Sequence, residues 1–474
     1  MNPVQRDPSA RNGRPADVTR RVALQRLGLG FGGVALASLL GRAEAGVASP
    51  IAARPPHFAP RAKRVIFVFM HGGPSHVDTF DHKPLLERDS GKPLPFAKPR
   101  VQFAQTGNLR RSPWEFRPYG QCGAMVSDLF PLTGACADDL CFLKAVHGTN
   151  EAHGGALLKR HTGSDVSVRP SMGAWISYGL GTENANLPSF ITINPTLGHG
   201  GVGNWASAFL PASHQGTRIG GGGTPVDKAT IAHLGGAWAP AVQRAQLDLL
   251  GDLQREHLGR IGAESALEAR IESFELAFRM QTEAPDILSL AGETEATRKL
   301  YGLEDPRTAS FARQCLLARR FSERGVRFVQ ITHGYWDQHE DLTKDHGRLA
   351  GEVDRPIAGL LRDLKARGLL DETLVLWGGE FGRTPTLQGK DGRDHHPHAF
   401  TVWMAGGGVK AGMSYGATDE YGFYGVTDKV HVHDLHATML ALLGLDHERL
   451  IYRHAGRDFR LTDVAGRVVR EIMA

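Results

Sequence analysis

Val65-Ile66-Phe67-Val68-Phe69-Met70, stopped by His71-Gly72-Gly73-Pro74, is the stretch on which the fold turns. A strand with one wet face alternates apolar and polar residues; this run does not alternate, so both its faces must be dry. That predicts the centre of a parallel sheet. Similar runs recur at 140–146, 190–193, 326–332, 373–377 and 400–405. Helical patterns lie between several of them. In 348–367, Leu349, Val353, Ile357, Leu360, Leu361 and Leu364 repeat at helical spacing. Strands alternating with helices predict an α/β domain with a mostly parallel central sheet and helices on both faces.

Outward from this frame, the pattern breaks at 198–235, where Gly220 to Gly223 are consecutive, and a loop over the site is expected there. Residues 241–281 follow, polar and amphipathic, with Leu267, Ile271, Phe274 and Phe278 at i, i+4, i+7 and i+11. They predict a helical cap, part of an insertion spanning about 198–300. At the other end, 46–63 is rich in Pro, Ala and Arg and reads as a linker to a domain covering 64–474. Residues 1–45 read as an address. Arg20-Arg21 precedes a mild apolar run from Leu27 to Leu40, and Ala43-Glu44-Ala45 offers small residues for cleavage. This resembles a twin-arginine signal peptide, with Ala23 and Gln25 where Phe and Lys are commoner. The run is too short and Gly-rich for a stable span, which needs about 20 apolar residues. A periplasmic or secreted location is expected.

The chain of 474 residues carries a net charge of +5. The first 45 residues hold seven Arg against three acids, leaving 48 basic against 47 acidic residues in the remainder. Bulk charge therefore gives no support to a nucleic-acid partner. Cys122, Cys136, Cys141 and Cys315 form no Cys-x-x-Cys pair, so neither a thiolate zinc site nor a redox motif is indicated.

In open parallel sheets ligands bind beyond the carboxyl ends of the strands. The polar residues there are His71, Ser75, His76, Asp78 and Asp81; His147, Asn150 and His153; His333, Asp337 and His339; Glu380 and Arg383; and, just before the last run, Asp394, His395, His396 and His398. Imidazoles and carboxylates converging from five strand ends suit a divalent cation, zinc first, with manganese, magnesium or calcium behind it. Asp337-Gln338-His339 and His396-Pro397-His398 each place two donors two residues apart, on one side of extended backbone. Asp337, His339, Glu380 and one or more of His395, His396 and His398 are the expected metal ligands. Asp78 and Asp81 equally suit caps of a following turn. Ser75 lacks the Gly-x-Ser-x-Gly elbow of a nucleophile. Arg383 suits either an anion-binding fork or a structural bridge to Glu380.

Several ordered motifs together resemble a known family. They are Phe69-Met70-His71-Gly72-Gly73-Pro74-Ser75-His76-Val77-Asp78, Trp336-Asp337-Gln338-His339, Gly379-Glu380-Phe381-Gly382-Arg383-Thr384-Pro385, Gly392-Arg393-Asp394-His395-His396-Pro397 and Asp434-Leu435-His436-Ala437-Thr438. The family is domain of unknown function 1501 (DUF1501), exported bacterial proteins related to sulfatases and alkaline phosphatases. The resemblance implies an alkaline phosphatase/sulfatase-like sheet and a site that hydrolyses sulfate or phosphate esters. His71 stands where the superfamily pattern has an Asp ligand, and His153 where it has a hydroxyl or thiol nucleophile. Glu380-Phe381 replaces an Asp-His pair. Asp337 and His339 resemble an Asp and a His ligand, and His395 or His396 the final His. No Cys-x-Pro-x-Arg is present for a formylglycine. The resulting expectation is an exported metal-dependent hydrolase of an anionic small-molecule or saccharide ester, with His153, His71 and Arg383 as catalytic groups. The rival is a non-catalytic, metal-stabilised protein that binds a glycan or a partner.

Overall fold

The computed structural model describes residues 51–97, 105–222, 224, 226, 231, 238–262 and 265–474. The twin-arginine signature at 1–45 and the start of the linker lie outside the described residues. Among the described residues nine strands form the main sheet: β1 (Arg64–Met70), β2 (Leu140–His147), β3 (Phe190–Ile193), β4 (Thr217–Ile219), β5 (Phe328–His333), β6 (Thr373–Gly378), β7 (Phe400–Ala405), β8 (Met413–Tyr415) and β9 (Val430–His431). Their spatial order is β8-β2-β7-β6-β1-β5-β3-β4, with β9 also pairing β2.

Every residue of β1 is buried, as its unbroken apolar run requires. Alternate side chains feed two separate cores. Ile66, Val68 and Met70 face one that includes Phe311, Leu316 and Phe321 of α5 (Ala309–Glu323) and Leu349, Val353 and Leu360 of α6 (Leu342–Ala366). Val65, Phe67 and Phe69 face the other, with Trp175 and Ile176 of α2 (Met172–Leu180) and Leu435, Met439 and Leu442 of α7 (Val432–Leu442). Each such side chain contributes about 2 kcal/mol by leaving water. The sheet is therefore flanked by helices on both faces. The start of α6 at Leu342 lies about two turns before Leu349, where the expected apolar periodicity begins, in a segment whose exposed face is polar.

Most of the sheet is parallel. β1 runs parallel to β5 and β6, and β3 parallel to β5 and β4. β7 is antiparallel to both its neighbours, β2 and β6. This reversal brings the start of β7, not its end, to the edge where the other strands finish. The register then levels the strand ends: Met70 lies opposite His333, Phe69 opposite Gly378 and Phe400 opposite Val146. Loops after β1, β5 and β6 and the loop before β7 thus leave the sheet side by side.

The long amphipathic stretch forms α3 (Pro240–Ile261) and α4 (Ser265–Leu288), broken at Gly262 with φ +87°. The stripe of α4 that faces the core is Leu276, Met280, Ala284 and Ile287, not the expected Leu267 to Phe278 stripe. Phe274 is exposed, and Phe278 lies under the Arg244 guanidinium of α3. The apolar residues of the expected stripe are thus shared between solvent and the neighbouring helix. Residues 51–63 lie against the domain: Arg61 and Ala62 donate backbone N–H to Leu442, and Ile51 and Ala62 are buried. Among the described residues no helix is long and apolar enough to cross a membrane.

Candidate metal centre and cleft

Asp337 and His339 follow β5 in a loop whose shape is imposed by the sequence around it. Trp336 is fully buried; its Nε1 donates to His333 Nδ1 at 3.1 Å, and its backbone N–H to the His71 carbonyl at 3.1 Å. His333 in turn reaches Glu352 of α6 through Nε2 at 3.0 Å. A Cβ on Gly72, at φ +116°, would come within 2.7 Å of the Trp336 nitrogen, so only glycine lets the β1 and β5 loops approach this closely.

Three donor atoms meet in that space. Asp337 Oδ1 is 2.9 Å from His339 Nε2 and 3.1 Å from His395 Nε2, and the two imidazole nitrogens are 3.0 Å apart. The outward nitrogens settle the tautomers. His339 Nδ1 donates to Gln388 Oε1 at 2.6 Å, and His395 Nδ1 to the Glu151 carbonyl at 2.7 Å. With protons on Nδ1, both Nε2 lone pairs point inward, at each other and at a carboxylate. Three lone pairs converging at this distance repel unless a cation sits among them. A tetrahedral zinc ion with about 2.05 Å bonds places its ligands about 3.3 Å apart, close to the triangle observed. The donor set therefore fits a zinc-type ion with one position left open. Without an ion a proton serves the same purpose: the hydrogen bond to Asp337 raises the His339 pKa.

His153, first residue of α1 (His153–Thr162), adjoins the triangle. Its Nδ1 donates to Glu380 Oε1 at 2.7 Å, and its Nε2 lies 3.1 Å from Asp337 Oδ2. Burial disfavours the imidazolium, but the two carboxylates outweigh it and hold the pKa up at about 9. The carboxyl of Asp337 is also opposed by burial, yet His153, His339, His395 and Arg383 keep it ionised far below the usual range. Glu380, expected as a ligand, stands one layer back. Its side chain is fully buried, its oxygens accept the Gly72 N–H at 3.0 and 3.1 Å, and it orients His153 rather than facing the triangle.

Arg383 is likewise withdrawn. It is completely buried; Nε donates to the Gly73 carbonyl at 3.0 Å, Nη1 to that of Arg393 at 3.2 Å, and Nη2 to Gly72, to Trp336 and to Asp337 Oδ1 at 2.7 Å. It clamps the β1 and β5 loops and anchors Asp337, and its complete burial keeps it from an anion in solvent. The bridge to Glu380 is replaced by this bridge to Asp337.

The histidines after residue 394 part company. His395 and His396 form a short strand paired antiparallel with Gly382–Arg383, so their side chains point to opposite sides. His395 enters the triangle. His396 is buried away from it, its Nε2 bonded to the Phe423 carbonyl and its ring stacked on His76. His398 is exposed beside Tyr424. Neither joins the candidate ligands. Asp78 takes the Arg393 guanidinium in a fully buried two-point pair at 2.7 and 3.0 Å, and Ser75 donates to the same carboxylate. Both are structural here.

Beyond the triangle lies a cleft of about 450 Å³. His71, His153, His199 and Asp337 line it with Asn194, Leu197 and Tyr335. His71 Nε2 is 3.3 Å from His199 Nδ1, and burial lowers the His71 pKa. Three further sets of donors lie within metal-ligating reach of one another: His153, Asp337 and His395; His71, His153 and His199; and His339, Asp394 and His395. His199 was not among the expected site residues. It sits at φ +42° in the Gly-rich loop after β3, and the strand-end rule extended to that loop would have found it.

No curated protein matches the chain. Solved structures similar to it include the PsFucS1 sulfatase from Pseudoalteromonas sp., at 12% identity and a TM-score of 0.36, with 83% of this chain and 69% of that one covered. The lipoteichoic acid synthase LtaP from Listeria monocytogenes is 11% identical with a TM-score of 0.32, over 87% and 78% of the two chains. The alkaline phosphatase from the Antarctic bacterium TAB5 is 8% identical with a TM-score of 0.33, over 82% and 99%. The model of one family, described as a protein of unknown function (DUF1501), matches residues 62–473. That span takes in β1, all three residues of the triangle and the cleft; the chain belongs to the DUF1501 family.

Proposed function

We propose that the protein is an exported metal-dependent hydrolase of sulfate or phosphate esters. The observation that carries the metal is the convergence of Asp337 Oδ1, His339 Nε2 and His395 Nε2 within 3.1 Å of one another, with both imidazole protons committed outward. A divalent ion held there would polarise an ester oxygen and bring the pKa of a water to about 7. His153, facing both the triangle and the cleft, would pass a proton at Nε2, and Glu380 would hold its ring in place. His71 and His199, which line the cleft, would contact the anionic ester group there. Export rests on the Arg20-Arg21 signature and the apolar run after it.

One feature favours the binding-protein reading: His153 is tied to carboxylates on both sides, where the resemblance expects a free nucleophile. The test is metal content and turnover together. Protein purified without chelator is analysed for metal and assayed with 4-nitrophenyl sulfate and 4-nitrophenyl phosphate, beside His339→Ala, His395→Ala, His396→Ala and His153→Ala. The hydrolase reading expects metal and activity to vanish in the first two. His396→Ala keeps its metal, and His153→Ala keeps metal with turnover reduced at least 100-fold. Metal bound with no turnover of either ester favours the binding protein; no metal in the wild type refutes both.

A further inference from the structure

Tyr335 stands at the mouth of the cleft and is hard to explain as packing. It is 83% exposed, so its ring buries little. Its backbone lies at φ +72°, in the left-handed region that a bulky side chain enters only at a steric cost. The loop needs that conformation: Trp336 is pinned through its indole, its N–H and its carbonyl, and the Tyr335 carbonyl accepts from Gln338. Glycine would supply the same backbone without strain. The ring is therefore kept against local conformational preference, and without gain to the core.

Leu197 lines the same cleft. It is 47% exposed and rests on Gly222, where a Cβ would come within 2.6 Å of its Cδ1. The same cleft is lined by the ionisable side chains of His71, His153, His199 and Asp337. The cleft thus combines imidazoles and the carboxylate of Asp337 with two exposed apolar side chains, Tyr335 and Leu197. A ligand that fits has a compact anionic group at one end and a flat ring with an apolar face behind it.

We infer that Tyr335, with Leu197 in the same cleft, is the specificity-determining platform of the site and selects esters carried on a pyranose ring, whose axial C–H face stacks on the phenol. This rests on the ester-hydrolase reading and adds the carrier of the ester. Stacking on an exposed aromatic of this kind is worth about tenfold in affinity, or about 1.4 kcal/mol.

The test is calorimetric titration of the zinc-loaded full chain with four probes: inorganic sulfate, inorganic phosphate, glucose 6-sulfate and phenyl sulfate. The variants are Tyr335→Ala, Tyr335→Gly and Tyr335→Phe. The expected result is tighter binding of glucose 6-sulfate than of inorganic sulfate. That margin falls about tenfold in Tyr335→Ala and Tyr335→Gly and survives in Tyr335→Phe, while inorganic anions bind all four proteins alike. Tyr335→Gly, freed of strain, also melts no lower than wild type, which separates the effect from misfolding. Equal loss for sugar ester and inorganic anion, or no loss for either, overturns the platform. A preference for phenyl sulfate over glucose 6-sulfate overturns the pyranose. If the wild type binds inorganic anions but gains nothing from the sugar, the platform fails and the hydrolase reading stands. If it binds no anion at all, both fail.

Discussion

Replacing Glu380 with Gln in the metal-free protein isolates the charge that holds His153. The carboxylate is fully buried, accepts the Gly72 N–H through both oxygens and lies 2.7 Å from His153 Nδ1. His153 keeps its proton to a pKa of about 9 instead of the ordinary 6.5. At 1.36 kcal/mol per pH unit, that difference is worth about 3 kcal/mol of folding stability. Because the folded-state pKa is raised, the contribution is complete below pH 6.5 and disappears as pH climbs through about 9. Glutamine fills the same volume without the charge. Asp337 alone then offsets the burial of the ring, and the pKa falls back toward its ordinary value. The loss at pH 6 is therefore about 3 kcal/mol plus about 1 kcal/mol for the poorer acceptor facing Gly72. At pH 10 only the second part remains. The assay is urea denaturation of both proteins in chelator, followed by tryptophan fluorescence at pH 6 and pH 10. Titration of groups distant from the site cancels in the difference. A gap between wild type and variant that is the same at both pH values would refute the reasoning, since it would mean that His153 carries no extra proton.

Two more outcomes follow from the same geometry. Gly72→Ala sets a methyl 2.7 Å from the Trp336 nitrogen at φ +116°, so it should cost at least about 2 kcal/mol and weaken zinc binding through the displaced Asp337 loop; a melting curve and zinc titration identical to wild type would contradict this. Arg160 is fully buried against Phe67, none of its guanidinium nitrogens has a hydrogen-bond partner among the described residues, and burial lowers its pKa to about 9. Arg160→Leu should therefore raise the urea midpoint, by about 1–3 kcal/mol of stability, and a fall would show that its attraction to Glu380 outweighs the buried charge.

The order of apolar runs was enough to place the sheet. A strand dry on both faces has no alternation to hide, so β1, β3 and β7 begin and end within a residue of their apolar runs. Parallel strands finish at one edge, so residues after them were legible as neighbours before any contact was known. Asp337, His339, His153 and His71 were singled out in this way, whereas His395, ahead of β7, reaches them only because β7 runs antiparallel to its neighbours. Their meeting depends on the direction and spatial order of the strands, which the tertiary structure supplies.

What each of those side chains does there was not readable, because that depends on partners hundreds of residues away. Glu380 and Arg383 carry the right chemistry at the right strand end, yet one turns to Gly72 and His153 and the other to four carbonyls and Asp337. His395 and His396 are chemically identical neighbours; a two-residue pairing with Gly382–Arg383 sends one inward and the other toward Phe423. His199 follows β3 in a Gly-rich loop, so the strand-end rule points to the loop, while its place against His71 and His153 is decided by tertiary structure. Residue type and element order decide which groups reach the sheet edge. Which of them turn their lone pairs toward a shared point is decided by long-range hydrogen bonds and close packing, and those exist only once the chain has folded.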